Sequence, residues 1–111
     1  MSFSHKNCDQ DIREKLAFAN DDEKIEMINQ LVEFDFIHEA FIVSTCNRVE
    51  IILATRYNFS NYHTILGLMS QKSELNFYDV KSKGERYDDE EAVQHIFSVV
   101  SSLDSLVVGE S

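Results

Sequence analysis

The sequence contains no proline and no tryptophan, and only three glycines and two cysteines in 111 residues. That poverty in proline and glycine argues against flexible linkers, low-complexity tails and collagen-like repeats. Two cysteines, Cys8 and Cys46, are fewer than a disulfide scaffold of this size normally uses, so both read as free thiols and the chain reads as cytoplasmic. Positive charge is scarce too. Ten Lys and Arg against twenty Asp and Glu leave a net charge of −10, which opposes polyanion binding through the bulk surface and confines any nucleic-acid contact to a local patch. No apolar run reaches the roughly 20 residues of a membrane-spanning helix, and the opening Met1-Ser2-Phe3-Ser4-His5-Lys6 lacks the apolar core of a signal peptide. Gly67, Gly84 and Gly109 stand too far apart for GxGxxG or a P-loop. No Cys/His spacing fits a zinc site, and the acidic runs lack the internal glycine of an EF-hand. Neither a bound dinucleotide nor a metal is expected. What remains is 43% hydrophobic and 27% charged, enough for one compact core.

Local signals divide the chain into short elements. Phe3–His5 is a scrap of strand. Asp9 or Asp11 can cap a helix through Phe18, with Ile12 and Leu16 on one face. Asn20 ends that helix and can cap the next, whose first turn Asp21-Asp22-Glu23 suits the macrodipole and whose Ile25, Ile28, Leu31 and Val32 form an apolar stripe. Ala40–Val43 and Val49–Ala54 read as two strands around the polar turn Ser44–Arg48. Asn58 or Ser60 can cap a helix through Met69, with Tyr62, Ile65, Leu66 and Met69 inward. Phe77–Val80 reads as a further strand and Lys83-Gly84 as a turn. Asp88–Glu91 opens a helix carrying Ala92, Ile96, Val99 and Val100, closed by Ser101-Ser102. Leu103–Ser111 gives no clear signal. The expected fold class is α+β, a ferredoxin-like plait (split βαβ) with helices packed on a small, mainly antiparallel sheet.

Two side chains stand out chemically. Cys46 sits in a polar turn between two apolar strands, where Arg48 and unpaired turn amides would favour the thiolate; spacing alone favours a packed or merely exposed cysteine. His95 lies beside the apolar stripe of the last helix, four residues after Glu91, as acid, base or orienter, or as an ordinary helix-surface histidine in an i,i+4 pair.

Three blocks taken together resemble the N-terminal catalytic domain of glutamyl-tRNA reductase. They are Ser4-His5-Lys6 leading into Asp11–Phe18, then Ser44-Thr45-Cys46-Asn47-Arg48-Val49-Glu50, and His95-Ile96-Phe97 running on through Leu103-Asp104-Ser105-Leu106-Val107-Val108-Gly109-Glu110. The resemblance implies that Cys46 attacks the ester joining glutamate to its tRNA, giving a thioester that NADPH reduces to glutamate-1-semialdehyde, the first step of five-carbon tetrapyrrole synthesis. It makes Cys46 and His95 the catalytic pair and Thr45, Asn47, Arg48, Ser105, Glu110 and Ser111 the glutamyl-binding set. It further implies that 1–111 is a truncated catalytic domain, with NADPH-binding and dimerisation domains beyond Ser111. NADPH would then serve only the full-length enzyme, a homodimer whose partners would be glutamyl-tRNA and glutamate-1-semialdehyde aminomutase. Asn7-Cys8-Asp9 replaces the family's common Thr-Ala-Pro, Ser102 a usual glycine and Ser111 a frequent proline. Two other readings compete: a non-catalytic protein-interaction module, and a stand-alone thiol esterase using Cys46 and His95.

Overall fold

A computed structural model of the chain describes residues 1–56 and 62–110, with side chains described as far as residue 101. In chain order the elements are β1 (Ser2–Ser4), α1 (Gln10–Leu16), α2 (Asp21–Val32), β2 (Ile37–Ser44), β3 (Arg48–Thr55), α3 (Tyr62–Ser73), α4 (Phe77–Lys83) and α5 (Asp89–Glu110). The candidate caps Asn58 and Ser60 lie outside the described residues.

Side-chain caps set three helix starts by taking an amide that the helix itself cannot satisfy. Asp9 Oδ1 accepts from Ile12 N at 2.9 Å and Asn20 Oδ1 from Glu23 N at 3.0 Å, so the departure at Asn7-Cys8-Asp9 supplies a cap of its own. Asn76 Oδ1 accepts from Tyr78 N at 2.8 Å and opens α4, which corrects the strand expected at Phe77–Val80. Four residues cannot separate the two periods by themselves. The deciding features lie outside that window: the Asn76 cap, and Lys81 and Lys83 in the last turn. Serines at 101 and 102 do not close α5, whose backbone stays helical to Glu110, because serine's helix penalty is modest. The inward stripe of α2 also differs. Met27 and Leu31 are buried, while Ile25 and Val32 are 54% and 39% exposed, so the helix is rotated by about one residue from the expected face.

Among the described residues the sheet has three strands in the order β1-β3-β2, with β3 antiparallel to both neighbours. β1 and β2 therefore run parallel on either side of β3, the split βαβ arrangement. Where a four-stranded plait would carry its last strand, the described residues show one antiparallel bridge, Ser2 to Glu85. The fold is α+β; the complete plait is not formed among the described residues.

Alternation along β3 assigns its two faces. Val49 and Ile51, each 1% exposed, point to the side where Phe3, Leu16, Leu66 and Met69 are fully buried. Arg48 and Glu50 point to the other side and share it with Ser2 and Ser4, their cross-strand neighbours. Gly84 ends α4 against this core. A Cβ there would lie 2.9 Å from a ring carbon of Phe3, so the position tolerates no side chain without a shift.

Candidate active site

The β2–β3 turn is held from three directions. Thr45 N donates to Arg48 O at 2.9 Å, Asn47 N donates to Thr45 Oγ1 at 3.2 Å, and Asn47 O accepts from His5 N at 3.0 Å. The last bond ties the tip of the hairpin to the end of β1. Cys46 occupies this braced tip and is exposed, and among the described residues its Sγ makes no hydrogen bond. The two thiols contrast sharply. Cys8 is 3% exposed and its Sγ donates to Lys83 O at 3.7 Å; burial pushes its pKa up, which holds it as an unreactive thiol. They form no disulfide.

Two residues beyond Arg48, the strand presents Glu50, a carboxylate 2% exposed inside an apolar run. Burying a charge is costly unless it is paired and hydrogen-bonded, and Glu50 is satisfied on three sides. Ser2 Oγ donates to Oε1 at 2.8 Å, Arg48 Nη1 donates to Oε1 at 3.0 Å, and His95 Nε2 lies 2.8 Å and 3.1 Å from Oε1 and Oε2. His95 thus reaches across from α5 to β3. The ring of Tyr87 lies flat on the imidazole, centroids 4.0 Å apart and planes 8° from parallel. Tyr87 Oη donates to Glu85, which also accepts from Asn7 Nδ2. These bonds lower the pKa of Glu85, and the bond to Glu85, followed by burial, pushes Tyr87 up to about 12.

The sequence-predicted residues therefore fall into two groups. Thr45, Cys46, Asn47 and Arg48 come together in one turn. His95 joins the chain of contacts through Glu50 and Arg48, with no hydrogen bond to Cys46, and its carboxylate partner is Glu50 from β3, whereas Glu91 had been expected. The side chains of Ser105 and Glu110, and Ser111 entirely, lie outside the described residues. Sequence reasoning missed Glu50, Ser2, Glu85 and Tyr87 as site residues. Glu50 did leave a signal, being the only charged residue within Val49–Ala54; the others are brought in by tertiary contact alone.

Beyond the short β1, the open edge of β3 borders a cleft of about 350 Å³ lined by Glu50, Leu53, Tyr62, Arg86, Tyr87 and His95 among others. Cys46 is not part of that lining. Among the described residues no group of three or more His, Cys, Asp or Glu side chains could hold a metal ion, and no helix is long and apolar enough to cross a membrane.

The order of these parts agrees with a known family. The model for "Glutamyl-tRNAGlu reductase, N-terminal domain" matches residues 1–111. The chain belongs to this family. It is 71% identical over its whole length to a glutamyl-tRNA reductase of a Sulfurovum species, and 44% identical to one of a Nitratiruptor species. A glutamyl-tRNA reductase of Campylobacter hominis is 43% identical over 112 residues. In each case all of this chain is covered but only 26% of the relative, so the chain spans about a quarter of the length of the curated relatives it matches.

Proposed function

We propose that this chain is the acyl-transfer domain of a cytoplasmic glutamyl-tRNA reductase, with Cys46 as its nucleophile. The Cys46 thiolate attacks the ester carbonyl between glutamate and tRNA. A carbon–sulfur bond forms, the carbon–oxygen bond to the ribose breaks, and the departing oxygen takes up a proton. His95 handles that proton, and Arg48, whose planar fork matches a carboxylate, holds the glutamyl side chain with Thr45 and Asn47. Ser105, Glu110 and Ser111 complete the glutamyl-binding set, Glu110 taking the substrate ammonium. The observation that carries this reading is the exposed, unbonded Cys46 at the head of a polar strand face that runs through Arg48 and Glu50 to His95.

The described residues of this chain do not fit NADPH. Gly67 lies inside α3, Gly84 ends α4, and no hydrogen-bonded strand pair is parallel, so nothing among the described residues provides the glycine-rich strand-to-helix turn of a dinucleotide site. Reduction to glutamate-1-semialdehyde, homodimerisation and hand-over to glutamate-1-semialdehyde aminomutase are accordingly proposed for the full-length enzyme. This chain alone is limited to acylation and slow deacylation. The net charge of −10 supports a reading in which most of the tRNA is held elsewhere or by a local basic patch.

Incubating the chain with glutamyl-tRNA tests the reading: deacylation is accelerated by the wild type and returns to the uncatalysed rate in Cys46→Ser. A thiol esterase would instead turn over simple glutamate esters without tRNA. An interaction module would leave deacylation unchanged.

A further inference from the structure

We propose that Tyr87 is a positioning residue which, together with Glu50, fixes the imidazole of His95 so that Nδ1 is the nitrogen that exchanges protons with the reacting group. The inference rests on the acyl-transfer reading above and deepens it.

His95 sits on α5, yet every described contact that orients its ring comes from outside that helix. Glu50, bonded also by Arg48 and Ser2, engages Nε2 through both carboxylate oxygens. An ionised carboxylate only accepts hydrogen bonds, so Nε2 carries the proton in the neutral ring. Nδ1 is then the bare nitrogen, and it has no partner among the described residues. One bond line still leaves the ring free to swing about it. The flat contact with Tyr87, at 4.0 Å and 8°, removes that freedom.

Tyr87 is itself anchored. Its hydroxyl donates to Glu85, and Glu85 exchanges two backbone hydrogen bonds with Ser2, each 2.8 Å. Ser2 in turn donates to Glu50. The contacts close a loop, Ser2–Glu50–His95–Tyr87–Glu85–Ser2, in which the segment before α5 and the edge strand β1 jointly set one imidazole plane. A tyrosine whose pKa is pushed to about 12 keeps its donor at every physiological pH, so the anchor does not titrate away. Preorganisation of this kind matters because a displaced catalytic group loses rate steeply.

The test uses this chain and the variants Tyr87→Leu and Tyr87→Phe, with circular dichroism as the fold control. In nitrogen-15 NMR of the neutral ring, His95 of the wild type is expected with Nε2 protonated, Nδ1 bare and its ring protons shifted upfield by the tyrosine face. Tyr87→Phe keeps the upfield shift and Tyr87→Leu loses it. In single-turnover deacylation of glutamyl-tRNA, Tyr87→Leu is expected to be slower by roughly 10- to 100-fold at unchanged tRNA affinity, with Tyr87→Phe, which keeps the stacked ring and lacks the anchoring hydroxyl, falling between Tyr87→Leu and the wild type. A proton on Nδ1, an absent ring shift in the wild type, or an unchanged rate in folded Tyr87→Leu would each overturn the proposal. If the wild type fails to deacylate glutamyl-tRNA, the acyl-transfer reading falls, while the NMR result still decides whether Tyr87 and Glu50 fix the ring.

Discussion

Val49 and Ile51 leave β3 on one side and vanish into the core, whereas Arg48 and Glu50, interleaved with them on the same strand, leave on the other side and meet Ser2 and His95. Both pairs are largely withdrawn from water, but for different ends. The first face is apolar and close-packed, so its worth lies in area removed from water. The second holds a buried carboxylate among a serine hydroxyl, a guanidinium and an imidazole. Such a cluster adds little net stability, since desolvation offsets much of the attraction, but it fixes geometry. Stability and chemistry separate in this domain at a one-residue step along a single strand.

Substitutions on each face should respond differently. On the apolar face, Phe3→Ala empties a fully buried site and is expected to cost about 3–5 kcal/mol, read as a fall in the urea midpoint at unchanged slope. On the polar face, Glu50→Ala leaves Arg48 and His95 without their acceptor and should cost about 1–3 kcal/mol. Its deacylation rate should fall by more than stability alone explains, as a mixed population of His95 tautomers takes over. Equal stability loss with unaltered tautomer would erase the distinction between the faces.

A smaller effect is expected from pH. Tyr87 has a folded pKa raised from 10 to about 12, so its contribution to stability is complete below pH 10 and is lost as pH rises through 12. Glu85 is depressed, so its contribution is present above its ordinary value of 4.5 and fades as pH falls through the folded value. Ultraviolet titration should show a late phenolate that Tyr87→Phe removes. If all tyrosines ionise together near 10, the Tyr87–Glu85 bond is not formed in solution.

The smallest effect on stability belongs to Cys46→Ser, expected within about 0.5 kcal/mol because the side chain is exposed and unbonded. The same thiol should be alkylated quickly in the folded chain while Cys8 reacts only on unfolding. Equal native rates would contradict the contrast between the two cysteines.

Much of this organisation was legible in residues with strong local signals. The caps at Asp9 and Asn20, the hairpin around Cys46 and the inward side of α3 all follow from short-range chemistry. Phe77–Val80 was misread because its cap lies at Asn76, just outside the apolar window. The end of α5 was misplaced because two serines are a weak stop. Tertiary geometry was not legible: a helix histidine has a local partner at Glu91 on paper, but the contact it makes is with Glu50, 45 residues away. Position in the turn and on the last helix marks Cys46 and His95, and the family motif gives them roles, yet neither shows that a tyrosine and a second carboxylate lie between β1 and α5.

Acylation of Cys46 is the step on which the proposed function stands. Glutamyl-tRNA mixed with the chain, acid-quenched and analysed by intact mass and peptide mapping tests this directly. A gain of one glutamyl group is expected on the peptide containing Cys46, absent in Cys46→Ala and removed by hydroxylamine. Folded protein that shows neither the adduct nor accelerated deacylation, or an adduct that maps to Cys8, would contradict it.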